Sequence, residues 1–266
     1  VVEVSAQLPP GPSLAGRGVV VTRPREQAAR LADLIKAALG RPIVFPALEI
    51  LDPIDSRTLR TLIDSLDRFD VAIFVSPTAV SRGMEMIRAR RELPTGLRFA
   101  AVGKGSAREL RRLGVSEVLA PQDGADSEAL LALPELQQVS GRKLVIFRGA
   151  GGRELLADTL VRRGATVDYA ECYRRIRPSG DPQMLLRAWS NGDIHAVTVT
   201  SREALSNLFD MVGTLGRHWL RKTPLFVPHE RIAQAGRVLG VSDVVVTESG
   251  DEAMVAAIVR YFARNS

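Results

Sequence analysis

The sequence predicts an α/β protein with two similar parallel-sheet domains joined by a two-stranded β hinge. Three observations carry this expectation. The chain resembles itself at a shift of about 125 residues, short apolar strands alternate with helical patterns throughout, and two proline-bounded extended segments fall at matching places in the repeat. GRGVVVTR (16–23) recurs as GRKLVIFR (141–148), and Leu31, Ala32 and Asp33 as Leu156, Ala157 and Asp158. FDVAIFVSPTAV (69–80) aligns with IHAVTVTSREAL (194–205), placing Ser76 on Ser201 and Ala79 on Ala204. LGVSEV (113–118) meets LGVSDV (239–244) at a shift of 126, a one-residue length change. Four blocks in one order at a nearly constant offset point to duplication.

The elements follow in order. The β-branched run Val19–Thr22 reads as a strand, and Ala28, Leu31, Ile35 and Leu39 give helix Glu26–Leu39 its apolar face, with Gly40 as the expected C-cap. Next come strand Ile43–Phe45, helix Arg57–Leu66, strand Val71–Val75, helix Thr78–Arg90 and strand Arg98–Val102. Helix Ser106–Leu113 then ends at Gly114, before a short strand near Val118 and helix Ser127–Leu133. The second half repeats this with strand Leu144–Phe147, helix Glu154–Arg163, strand Thr166–Tyr173, helix Pro182–Trp189, strand Ala196–Thr200 and helix Glu203–Val212. Strand Leu225–Val227, helix Arg231–Leu239, strand Val244–Val246 and helix Glu252–Ala263 complete it. Nearly all-apolar strands between helices indicate parallel sheets covered on both faces, here two flavodoxin-like domains rather than one barrel. PALEILDPID (46–55) and AECYRRIRPSGDP (170–182) read as extended, because residues before proline avoid the helical region. They pair as the expected hinge, with the chain crossing between domains twice.

Composition narrows the function. Of 266 residues, 45% are apolar and 25% charged, which excludes a disordered or fibrous chain. Aromatics at 5% argue against stacked single-stranded bases and against sugar platforms. The net charge of +6 favours an anionic partner. A nucleic-acid module is the competing reading of that charge, and a two-lobed anion or sugar receptor the competing reading of the hinge. No apolar run reaches the length of a bilayer span. The single Cys172 excludes an internal disulfide and fits a reducing compartment, and three scattered His make a zinc site unexpected. Residues 1–14, with Pro9, Pro10 and Pro12, read as a flexible tail without the pattern of a secretory signal, which makes the cytoplasm the expected location.

Ligands of parallel α/β sheets sit beyond the carboxyl ends of the strands. The residues there are Thr22-Arg23-Pro24, Ser76-Pro77-Thr78, Gly103-Lys104-Gly105-Ser106, Arg148-Gly149-Ala150-Gly151-Gly152, Thr200-Ser201-Arg202 and Pro228-His229. Hydroxyls, glycine-freed amides, helix N-termini and guanidinium groups together suit carboxylates or phosphates, and the expectation is a cleft between the two domains lined by them. Ser76, Ser106 and Ser201 read equally as helix N-caps. Arg23 and Arg148 read alternatively as solvated charges, Arg88–Arg91 and Arg217–Arg221 as exposed helix ends, Trp189 and Trp219 as packing, and His195 as structural. Neither glycine loop fits GxGxxG and no Walker lysine occurs, so a nucleotide is not expected. With no Ser/His/Asp set or carboxylate pair, the chemistry needs orientation more than a strong catalytic group.

Taken together, VTRP (21–24), FVSPTAV (74–80), AVGKGSARELRRLG (101–114), FRGAGGRELLADTLVRRGATVDYAECYRR (147–175), VTSREALSNL (199–208) and PHERIAQAGRVLGV (228–241) resemble the uroporphyrinogen-III synthase family over residues 15–264. Thr78 stands where relatives more often carry Asn. The resemblance implies one domain from 15–46 plus 177–266, a second from 54–170, and hinge strands at 47–53 and 171–176. It also implies a cyclising hydro-lyase of tetrapyrrole (heme) biosynthesis. Its substrate is hydroxymethylbilane, a linear tetrapyrrole with eight carboxylates; the enzyme needs no cofactor and neither nucleic-acid nor membrane partner, and acts as a monomer. Tyr173 matches the tyrosine that family is thought to use near the leaving hydroxyl. Arg23, Ser76, Thr78, Gly103, Lys104, Ser106, Arg148, Gly149, Thr200, Ser201, Arg202 and His229 are the candidate substrate contacts.

Overall fold

A computed structural model describes residues 13–124, 126–152 and 154–264. The chain divides into two compact units. Unit 1 takes the chain up to Glu49 and again from Ile176, and unit 2 is Ile50–Arg175.

In chain order the elements are β1 (Gly18–Val21), α1 (Arg25–Ala37), β2 (Arg41–Val44), β3 (Glu49–Leu51), α2 (Ser56–Asp64), β4 (Val71–Phe74), α3 (Pro77–Arg88), β5 (Arg98–Ala101) and α4 (Lys104–Arg112). There follow β6 (Val118–Leu119), α5 (Ser127–Leu131), α6 (Pro134–Gln137), β7 (Lys143–Gly149), α7 (Leu155–Arg162), β8 (Thr166–Ile176), α8 (Gln183–Ser190), β9 (Ile194–Thr198) and α9 (Arg202–Met211). The last are α10 (Gly213–Lys222), β10 (Leu225–Val227), α11 (Glu230–Val238), β11 (Val244–Val246) and α12 (Asp251–Arg264).

Among the described residues these strands form a five-stranded sheet, order β11-β10-β9-β1-β2, and a six-stranded sheet, order β3-β8-β7-β4-β5-β6. Numbered along the chain, the first reads 2-1-3-4-5, the flavodoxin-like order. The second has the same spatial pattern, with β7 and β8 in the places of β1 and β2, and is therefore a circular permutation of it. The duplication is visible in the pairing itself. Val21 pairs with Val44 in parallel, and Ile146 with Tyr169, each residue 125 further on. Val19 pairs with Ala196 and, at the same shift, Val71 with Leu144. Phe99 pairs with Val118 and, 126 further on, Leu225 with Val244. Each unit is thus assembled from parts of both repeats.

The strand interiors are buried on both faces, as in all of β1 and β4. In unit 2, Phe74 stacks on Phe147 with ring centroids 4.5 Å apart. In unit 1, Trp189 donates its indole N–H to Thr223 Oγ1 at 3.0 Å and stacks near Trp219. His195 accepts from the Gly18 amide through Nδ1 at 3.1 Å.

Several expectations need correction. The tail over 1–14 falls outside the described residues up to 12, but Leu14 is fully buried and donates its amide to Ala38 at 2.8 Å. Gly40 does not supply the left-handed residue after α1. Leu39 does, at φ 59°, and Gly40 is needed for space, since a Cβ there would meet Leu14 Cδ1 at 2.5 Å. The pattern gave no separate helix at α6 or α10. Two glycines, Gly213 and Gly216, mask α10, which follows α9 after Val212 alone. The arginine runs do lie at exposed helix ends as expected, and they are tied down there: Arg90 pairs with Asp64, Arg91 with Asp67, and Arg217 and Arg221 donate to the Phe209 and Leu239 carbonyls. The pairing expected of 47–53 with 171–176 does hold: β3 neighbours β8, and β3 forms the edge of the six-stranded sheet.

Candidate functional site

Unit 2 gathers its candidate residues at the carboxyl ends of β4, β5 and β7 and on β8. Ser76 follows β4 in extended conformation and caps α3, its Oγ accepting the Ala79 amide at 3.1 Å. Thr78 lies in the first turn of α3, half-buried. Gly103 caps α4 through its backbone alone, and Lys104 opens that helix, exposed. Ser106 is therefore not a cap; it sits inside α4 and is buried.

β7 and β8 carry the most specific geometry. Their pairing runs Arg148 to Glu171 and then Gly149 to Tyr173, so β8 holds one extra residue, Cys172, at a bulge. The bulge breaks the alternation of β8 and buries Cys172 and Tyr173 in succession. The Tyr173 ring lies against Gly149, where a Cβ would come within 2.7 Å of it. The Tyr173 hydroxyl shares a hydrogen bond with Ser76 Oγ at 3.2 Å. Cys172 directs its thiol at the Arg148 carbonyl, 3.3 Å away, and burial pushes its pKa up to about 12, so it is no nucleophile.

Arg148 is 5% exposed and is not a solvated charge. Its guanidinium donates to the carbonyls of Gly149 and Gly151 and to Glu154 at 3.2 Å, and lies over the Tyr169 ring at 4.6 Å. The Tyr169 hydroxyl donates to Glu154 in turn. The loop amides are engaged as well: Ala150 donates to the Tyr173 carbonyl at 2.7 Å and Gly151 to Glu171 at 3.3 Å. Arg148 thus holds the 149–152 loop in shape. Ser76, Arg148, Gly149, Tyr169, Tyr173 and Arg175 are among the walls of one cavity of about 210 Å³ within this unit. Sequence reasoning missed Tyr169, Glu154 and Arg175. For Tyr169 the signal was available, since it lies two residues from Glu171 on one strand face.

Unit 1 presents a second set at the carboxyl ends of β1, β9 and β10. Arg23 follows β1, half-buried, and pairs with the buried Asp251 at 2.6 Å. Ser201 caps α9, accepting the Ala204 amide at 3.0 Å, with Thr200 before it half-buried and Arg202 after it exposed. His229 occupies the N-cap position of α11 without a side-chain capping bond, and is exposed. Helices α4 and α9 both open with a cation, Lys104 and Arg202, against the macrodipole. Each such placement costs about 0.3–1 kcal/mol, and adds to the attraction for an anion arriving there.

Among the described residues, no cluster of His, Cys, Asp and Glu could hold a metal ion, and no helix is long and apolar enough to cross a membrane.

The chain has known relatives. The family model for uroporphyrinogen-III synthase HemD matches residues 29–256. The chain is 33% identical over 243 residues to the uroporphyrinogen-III synthase of Salmonella typhimurium, covering 90% of this chain and 99% of that one. It is 32% identical, with the same coverage, to the Escherichia coli enzyme of that name. A crystal structure of a mutant uroporphyrinogen III synthase from Thermus thermophilus superposes with a TM-score of 0.64 at 21% identity, covering 94% of this chain and all of that one. By these matches the chain belongs to the uroporphyrinogen-III synthase family.

Proposed function

We propose that the protein cyclises hydroxymethylbilane to uroporphyrinogen III, with loss of water and inversion of the last pyrrole ring, in tetrapyrrole biosynthesis. The observation that supports this most directly is family membership over nearly the whole chain, joined to the Tyr173 phenol in the wall of the unit 2 cavity. The cavity's volume, about 210 Å³, suits one end of a tetrapyrrole rather than the whole.

Loss of hydroxide from the terminal pyrrole leaves an electron-poor azafulvene, which an electron-rich ring makes accessible. Unassisted, the ends close without inversion. The enzyme's task is to present the substituted carbon of the last ring instead, so that a spiro intermediate forms. Orientation of this kind supplies up to roughly 7–11 kcal/mol. Tyr173 donates its phenolic proton to the departing hydroxyl. Lys104, Arg202, Arg23 and His229 receive substrate carboxylates, and the hydroxyls and amides of Thr78, Gly103, Gly149, Thr200 and Ser201 complete the contacts, while Ser76 acts through its hydrogen bond to Tyr173 and the buried Ser106 serves the packing of α4. Arg148 acts chiefly by shaping the loop beside Tyr173. The enzyme works as a cytoplasmic monomer, which sedimentation of the purified protein and fractionation of cells test.

The reaction itself is tested by incubating hydroxymethylbilane with the protein and separating the oxidised porphyrin isomers. Type III product is expected. Type I alone, as in spontaneous closure, refutes the reading.

A further inference from the structure

We propose that Ser76 is the positioning residue of the reaction, tying the Tyr173 oxygen to the N-terminus of α3 so that the phenolic hydrogen is left for the substrate. The inference rests on the reading of Tyr173 as proton donor.

Ser76 Oγ accepts the Ala79 amide at 3.1 Å and stands 3.2 Å from the Tyr173 hydroxyl oxygen. A serine hydroxyl has one hydrogen. With a lone pair given to Ala79, that hydrogen is available to the Tyr173 oxygen, and the phenolic hydrogen is then directed elsewhere. Tyr173 is 4% exposed, and both residues line the same cavity. A nearly buried phenol gives up a proton only where the oxygen left behind finds donors. Here the chain Ala79 N–H, Ser76 O–H, Tyr173 oxygen leads to the positive end of a twelve-residue helix.

The duplication supplies an internal comparison. Ser201 caps α9 with the same extended backbone, accepting Ala204 at 3.0 Å as Ser76 accepts Ala79. The shift that carries Ser76 to Ser201 carries Leu48 to Tyr173, and Leu48 is an apolar, buried residue. The capping serine thus belongs to the scaffold of both units, and the scaffold does not require a hydroxyl at the position of Tyr173. The pairing of the two is peculiar to unit 2, where the bulge at Cys172 and the bare Gly149 make room for the ring.

In the step, the C–O bond of the hydroxymethyl group breaks and its electron pair stays on the oxygen. The Tyr173 proton joins that oxygen, so water leaves. The phenolate accepts the Ser76 hydrogen bond until the proton released when the last pyrrole regains aromaticity restores the phenol.

The test compares Ser76→Gly, Ser76→Thr, Tyr173→Phe and the Ser76→Gly/Tyr173→Phe double variant, with rates taken from type III product only. Glycine keeps most of the capping stability and threonine keeps the hydroxyl, which thermal unfolding verifies. Ser76→Gly is expected to lower kcat about tenfold with KM within about twofold, Tyr173→Phe to lower it about a hundredfold or more, and Ser76→Thr to recover most of the rate. In the Tyr173→Phe background, Ser76→Gly should change kcat no further. An unchanged kcat in Ser76→Gly, or losses that multiply in the double variant, overturns the proposal while leaving Tyr173 its role. An unchanged kcat in Tyr173→Phe overturns both.

Discussion

Gly149 and Tyr173 are held so close that a β-carbon at position 149 would stand 2.7 Å from two carbons of the tyrosine ring. The contact arises from the β8 bulge, which sets Tyr173 opposite Gly149 after Arg148 has met Glu171. Gly149→Ala is expected to push the ring out of place at a cost of about 1–3 kcal/mol. It should lower the rate of type III formation at least as much as Tyr173→Phe does. An alanine variant with native melting temperature and native rate would show that the ring has room to move.

Arg148 lies buried with its donors directed at the Gly149 and Gly151 carbonyls and at Glu154. Removing it leaves those acceptors without their charged donor. Arg148→Ala should destabilise the fold by about 1.5–3 kcal/mol, read by denaturant unfolding, and should raise hydrogen exchange across residues 149–152. Arg148→Lys should recover only part of the loss, because an ammonium cannot span the same fork of acceptors. A variant of native stability whose only defect is a raised KM would instead make Arg148 a direct carboxylate receptor.

Leu39 ends α1 with φ 59° and a side chain that is 61% exposed. A left-handed conformation costs a non-glycine residue roughly 1–2 kcal/mol, and little burial offsets it here. Leu39→Gly should therefore stabilise the protein by about 0.5–1 kcal/mol after the greater freedom of glycine in the unfolded chain is counted. Leu39→Ala should give no such gain. Equal melting temperatures for the glycine variant and the parent would remove the strain argument.

Two of the three tyrosines hold their protons tightly. Burial and then the Glu154 bond push Tyr169 up to about 12, and the Asp243 bond and then burial do the same for Tyr261. Because the folded values lie above the ordinary value of 10, these groups contribute stability that is present below pH 10 and lost as pH rises through about 12. Absorbance at the tyrosinate band should show Tyr169 and Tyr261 still largely protonated at about pH 11, with Tyr169→Phe and Tyr261→Phe assigning the steps. Ionisation of either at the ordinary pH contradicts the partnerships with Glu154 and Asp243.

Much of the fold was legible because duplication leaves a trace that packing preserves. The strands of one repeat pair in the register of the other, so the sequence shift predicts the sheet neighbours as well as the strands. What escaped notice is governed by tertiary contacts. Gly40 looks like a helix cap by composition, yet crowding by Leu14 and Ile35 is what requires it, and Leu39 takes the strained conformation. The strand ends could be located, but the partner of each side chain there could not. Nothing local to Arg148 announces that Glu154 and Tyr169 enclose it, and nothing near Ser106 shows that α4 begins at Lys104 and buries it. Ser76 and Ser201 look alike in sequence; only the bulge in β8 brings a tyrosine to one of them.

The central claim is that this chain steers ring closure through Tyr173 faster than the substrate closes unaided. The most direct measurement is the ratio of type III to type I porphyrin formed from hydroxymethylbilane by the parent protein and by Tyr173→Phe at equal concentration. The account predicts mostly type III from the parent, and a slower variant whose product shifts toward type I as spontaneous closure competes. Type I alone from both proteins, or one and the same type III fraction and rate from both, would contradict it.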